Sequence, residues 1–124
     1  RTLTNGRGVA AVYDGVGAST FDASLAGLAV RGTLALFGAS SGAVPPVDPQ
    51  RLSAAGSIYL IRPSLVHFIR TPDEFAWRAG EVLDAIADGS IVITVGGHYP
   101  LAESDRAHSD LQGRRTTGSI VLLP

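Results

Sequence analysis

The sequence predicts an α/β fold built around a parallel sheet. Short apolar runs end in Asp-Gly or glycine-rich turns, and segments with an apolar residue every three or four positions lie between those runs. A strand that returns parallel to its predecessor needs a crossover, and helices of this length supply one.

Val9–Tyr13 is a short apolar run closed by Asp14-Gly15, the pattern of a buried strand of parallel type. Ser19 is placed to cap a helix whose apolar stripe is Phe21, Leu25, Leu28 and Ala29, with Gly32 as its stop. Thr33–Phe37 is a second strand, ended by Gly38-Ala-Ser-Ser-Gly42, and completes a strand–helix–strand unit expected to be right-handed. Pro45, Pro46 and Pro49 make Ala43–Gln50 a loop. Ser57–Ile61 is a third strand, and Pro63, which cannot donate to a ladder, favours an edge position there. Thr71-Pro72-Asp73-Glu74 then spells an N-cap, an N1 proline and a capping-box acid. The helix they open buries Phe75, Ala79, Val82, Leu83 and Ile86 and ends at Asp88-Gly89. Ile91–Val95 reads as a strand and Leu101–Gln112 as a polar helix with Ala107 and Leu111 inward. Ser119–Leu123 is a closing strand. These last three elements need not share the first sheet.

Composition narrows the function classes. With 45% apolar and 17% charged residues over 124 positions, the chain has the make-up of a compact domain with a core. All ten basic residues are Arg, scattered except for Arg114-Arg115, and the net charge is -1. No basic stripe forms, so no nucleic-acid partner is expected. Without cysteine there is no disulfide framework, thiolate zinc site or cysteine nucleophile, which suits a cytoplasmic protein. No apolar run approaches the roughly 20 residues of a bilayer span, so no membrane partner is expected. The first eight residues are polar and glycine-bearing, unlike a signal peptide, and a start at Arg1 suits an internal fragment.

Gly6-Arg-Gly8-Val-Ala-Ala11 spells a loose dinucleotide fingerprint, but its glycines come before a strand. The fingerprint works only between a strand and a helix, so these residues read as a turn entering the strand. Asp14-Gly-Val-Gly17 does follow a strand and precede a helix, at the edge where ligands of open α/β sheets bind; an ordinary turn fits it as well. Phe37-Gly-Ala-Ser-Ser-Gly42 occupies the same edge of the next strand and offers amides and hydroxyls to a flat ligand. Two such loops on adjacent strand ends favour a shared crevice. His67, His98 and His108 lack metal-ligand spacing, and no nucleophile elbow is present. Arg114-Arg115 suits either a phosphate clamp or a solvated helix C-terminus.

Taken together, Tyr13-Asp-Gly-Val-Gly17, Phe37-Gly-Ala-Ser-Ser-Gly-Ala-Val44, Tyr59-Leu-Ile-Arg-Pro-Ser-Leu65 and Tyr99-Pro-Leu101 resemble successive motifs of the zeta-crystallin-like quinone oxidoreductases. Arg106-Ala-His108 and Arg114-Arg-Thr-Thr-Gly-Ser119 continue the resemblance. That family belongs to the medium-chain dehydrogenase/reductase superfamily, and the resemblance covers nearly the whole chain in order. It implies the C-terminal portion of such an enzyme. Residues 1–65 would be the second half of a Rossmann-type NADPH-binding sheet, 66–90 a bridging helix, and 91–124 the segment returning to a GroES-like catalytic domain.

The resemblance further implies NADPH as cofactor and zinc-independent hydride transfer to a quinone or small conjugated carbonyl. Gly15 and Val16 would lie near the ribose or nicotinamide side, Phe37, Gly38 and Ser40 would meet the nicotinamide, and Arg114 would reach the cofactor phosphates. The family more usually carries Ser where this chain has Gly15, and often a small residue where it has Arg115. Ser57–Ile61 corresponds to an edge that pairs across a two-fold axis, implying a homodimer. The glycine-rich phosphate loop has no counterpart here, so this segment alone is expected to be inactive. An enoyl reductase of the same superfamily and a non-catalytic dimerisation or binding module are the competing readings.

Overall fold

A computed structural model describes residues 2–124. The fold is α/β with parallel strands, and the chain divides after Arg70 into two compact units.

The first unit holds β1 (Val9–Asp14), α1 (Phe21–Gly27), β2 (Leu28–Leu36), α2 (Pro49–Ala54) and β3 (Tyr59–Ile61). The sheet order is β1-β2-β3, with both neighbouring pairs parallel. β3 therefore stands at an edge, as Pro63 suggested. Along each strand, alternate residues point to opposite faces. Val12, Leu34 and Leu60 share a register row and pack with Phe21, Leu25, Leu28, Leu36 and Ile58. Leu28 and Leu34 have no exposed surface.

The opposite face carries Tyr13 beside Ala35 and Ile61, and Thr33 beside Tyr59. Tyr13 is 79% exposed and Tyr59 65%. The first strand is parallel as expected, but the expectation that it is buried is corrected. Parallel sheets are normally covered on both faces, and here the buried cluster lies on one.

Three boundaries also differ from expectation. Helix α1 stops at Gly27, and Leu28 and Ala29 belong to β2, where Leu28 pairs with Val9 across an irregular register. Gly32 is accordingly a buried strand residue, not a helix stop. Ser19 is not the cap; Thr20 holds that position, without a side-chain capping bond. In the supposed loop, Pro49 starts α2, with the Asp48 side chain accepting from the Gln50 amide at 2.9 Å. Asp-Pro at N-cap and N1 is itself a helix signal, and the neighbouring prolines hid it.

The second unit holds α3 (Pro72–Ala87), β4 (Val95–Pro100), α4 (Ser104–Gln112) and β5 (Ser119–Leu123). Thr71 caps α3, its hydroxyl accepting from the Glu74 amide. The predicted stripe on α3 is present but not buried: Phe75, Val82, Leu83 and Ile86 are exposed. Strand β4 lies later than Ile91–Val95, pairing in parallel with β5 in a separate sheet. The β-branched run at 91–95 reads as a strand, but pairing with β5 selects Val95–Pro100 instead; context overrides propensity. Ala107 is buried, whereas Leu111, expected beside it, is exposed.

Candidate functional site

Strands β1 and β2 end side by side, Asp14 opposite Leu36, so both following turns leave the carboxyl edge of the sheet. Their backbones are joined directly. The Phe37 and Gly38 amides both donate to the Asp14 carbonyl, at 2.9 and 3.2 Å. The Ser40 amide donates to the Gly15 carbonyl at 3.4 Å, and the Ser41 amide to the Val16 carbonyl at 2.8 Å. The Ser41 hydroxyl repeats that last contact at 2.8 Å and accepts from the Ser19 amide at 3.0 Å. The approach is so close that a Cβ on Gly38 would fall on the Gly15 carbonyl. One on Gly17, whose φ is +91°, would sit 2.7 Å from the Gly42 carbonyl. Glycine is needed at both positions.

Asp14 organises this edge from below. It is 4% exposed and is the one buried polar or charged residue among those described. Its Oδ1 accepts from the Val16 amide at 2.8 Å and the Gly17 amide at 3.0 Å. The Thr20 hydroxyl lies 2.8 Å from both carboxylate oxygens, and the Ser24 hydroxyl donates to Oδ2 at 2.7 Å. Burial alone would raise the pKa of this acid. The Gly17 amide above all, with Ser24, Val16 and Thr20, wins and holds it at about 2.

Five of the expected residues come together on these turns. The Phe37 ring lies against Gly15, where a Cβ would stand 3.0 Å from a ring carbon. A serine here, as the resembled family more usually carries, would require the ring to shift by a few tenths of an ångström. Phe37 is 55% exposed and Val16 is also exposed, giving an open apolar surface. Gly38 joins the two turns, and Ser40 at the rim is exposed, with its backbone amide engaged. An aromatic plane with an apolar flank and a hydroxyl rim fits a flat heterocycle bearing a polar substituent.

Arg114 belongs to the second unit, just past the C-terminus of α4. It is exposed and has a left-handed backbone, φ +54°. Its neighbour Arg115 is committed elsewhere: its guanidinium donates to Asp110 Oδ1 at 2.8 Å, while the Tyr99 hydroxyl donates to Oδ2 at 2.9 Å. The Arg115 contact foremost, then Tyr99, lowers the Asp110 pKa.

Sequence reading missed Asp14 as an organiser, along with Thr20, Ser24 and Ser41. The available signal was an acid at a strand end followed by Gly-x-Gly, with hydroxyls six and ten positions on. Among the described residues no group of three or more His, Cys, Asp or Glu is placed to hold a metal ion.

Comparison with known proteins places this geometry. A curated quinone oxidoreductase of Pseudomonas aeruginosa is 44% identical over 122 residues, covering 98% of this chain and 38% of that protein. The structure of a mycobacterial protein complexed with NADPH superposes with a TM-score of 0.91 at 71% identity, over 100% of this chain and 38% of that one. The Escherichia coli quinone oxidoreductase, also complexed with NADPH, superposes with a TM-score of 0.88 at 42% identity, over 99% and 38%. The chain thus spans 38% of the length of these relatives. A family model described as zinc-binding dehydrogenase matches residues 1–122, and this chain belongs to that family, within the medium-chain dehydrogenase/reductase superfamily.

Proposed function

We propose that this chain is the C-terminal part of an NADPH-dependent quinone oxidoreductase. Residues 1–65 would be the second half of its cofactor domain, 66–90 a bridging helix, and 91–124 the segment returning to the catalytic domain. The observation that carries the reading is the joining of the two strand-end turns by the Gly38 contact on Gly15, which makes one continuous wall at the sheet edge. The names of the relatives support the same chemistry.

In this reading Gly15 and Val16 line the ribose or nicotinamide side. Phe37, Gly38 and Ser40 meet the nicotinamide ring and its carboxamide, and Arg114 pairs with a cofactor phosphate. When bound, reduced nicotinamide supplies a hydride to a quinone or a small conjugated carbonyl. The residues named here bind and orient, and no catalytic acid or base is assigned among them. The family resemblance implies zinc-independent chemistry, so no step is routed through a metal, and turnover of the complete enzyme is expected to survive exhaustive chelation. The protein would act in the cytoplasm as a homodimer pairing through Ser57–Ile61, the region of edge strand β3. No helix among the described residues is long and apolar enough to cross a membrane.

Steady-state kinetics of the full-length protein with NADPH and a naphthoquinone test the reading. Saturable turnover that falls at least about tenfold in Gly38→Val, where a bulky group would wedge the two turns apart, is expected. Full activity of a folded Gly38→Val variant would contradict it.

A further inference from the structure

We propose that Asp14 is the positioning residue of this crevice, holding the turn after β1 in the shape that receives the cofactor. The inference rests on the cofactor reading above and adds to it a residue outside the binding set. Its basis is geometric. The Asp14 carbonyl accepts both the Phe37 and Gly38 amides, while its carboxylate gathers the Val16 and Gly17 amides. One residue therefore sets both turns, the first through its side chain and the second through its backbone.

The carboxylate is in turn fixed from α1. The Thr20 hydroxyl reaches both oxygens and the Ser24 hydroxyl reaches Oδ2, so the side chain has little freedom to tilt. Gly15 itself has no side chain to steady it, and Val16 is exposed. The direction in which these two residues face the crevice is left to the acceptor beneath them. Among the described residues its partners are two amides and two hydroxyls, with no cation. A buried carboxylate with such partners has no need of a counter-ion, yet it cannot be exchanged for an apolar group without leaving two amides unmet.

Asp48 is the natural control. It caps α2, accepting from the Gln50 amide, but it is exposed and lies outside both turns. A purely stabilising role for Asp14 would resemble that of Asp48; a positioning role would not.

The test uses the full-length protein, with NADPH as the titrated ligand and a naphthoquinone as acceptor. Asp14→Asn keeps an acceptor for the two amides but breaks the match to Thr20 and Ser24. It is expected to raise the KM for NADPH by about tenfold while the KM for the quinone changes less than about twofold, the scale of one or two charge-assisted hydrogen bonds. Thr20→Val and Ser24→Ala should each move the NADPH KM in the same direction by about two- to threefold, and provide the test if Asp14→Asn does not fold. Asp48→Ala should lower Tm and leave the NADPH KM unchanged.

If the wild type binds NADPH but Asp14→Asn, or in its place Thr20→Val and Ser24→Ala, lowers Tm with no change in NADPH KM, the positioning role is overturned and the cofactor reading stands. A folded wild type that binds no NADPH overturns the cofactor reading, and with it this one.

Discussion

At the residue scale the decisive balance is at Asp14. Desolvation disfavours its charge, while two amides and two hydroxyls favour it, and the donors win. Since the folded pKa lies below the usual 3.8, the stabilisation is fully present above that value. It is lost as pH falls from 3.8 towards about 2. Asp14→Ala removes both the charge and the acceptor and is expected to cost about 3 kcal/mol, with the acid limb of the unfolding curve flattened between those pH values. Equilibrium denaturation across pH checks this; an unchanged acid limb would count against it. Strand-end position alone put Gly15, Val16, Phe37, Gly38 and Ser40 on adjacent turns at one sheet edge, while the cofactor roles proposed for them are what the family resemblance implies. Asp14 was not legible in the sequence, because its role depends on hydroxyls at positions 20 and 24. These come into range only when α1 begins at Phe21, a start that the Ser19 capping pattern obscured.

At the element scale, the strands and helices were legible where local signals agree and obscured where they compete. The Thr71-Pro72-Glu74 start of α3 and the closing strand Ser119–Leu123 follow their local patterns. Leu28 satisfies both a helical stripe with Phe21 and Leu25 and a strand alternation with Leu34 and Leu36. Pairing with β1 resolves the conflict in favour of the strand. That packing makes Leu34, fully buried at the centre of the row, a residue whose truncation is costly. Leu34→Ala is expected to destabilise the first unit by about 2–5 kcal/mol. Thr71→Ala, which removes one exposed cap, should cost about 1 kcal/mol. Chemical denaturation of both variants checks the ranking, and equal losses would contradict the packing described.

At the scale of the whole molecule, the fold class follows from the alternation of runs and helices, and the exposed surfaces do not. Apolar patterning marks which residues can be buried, not what buries them. Tyr13, Tyr59 and Ile61 on the sheet, and Phe75, Leu83 and Ile86 on α3, have the composition of buried faces yet are open to solvent. An isolated 124-residue chain is accordingly expected to show no saturable enhancement of NADPH fluorescence at micromolar concentration. The full-length protein should show it, and saturation by the isolated chain would refute the dependence on the rest of the enzyme.

Whether the two joined turns form one cofactor wall is tested most directly by hydrogen–deuterium exchange on the full-length protein with and without NADPH. Protection of the backbone at 14–18 and at 37–42 together, weakened in parallel by Gly38→Val, is the predicted result. Saturating NADPH that slows exchange in neither segment, or in one alone, would contradict it.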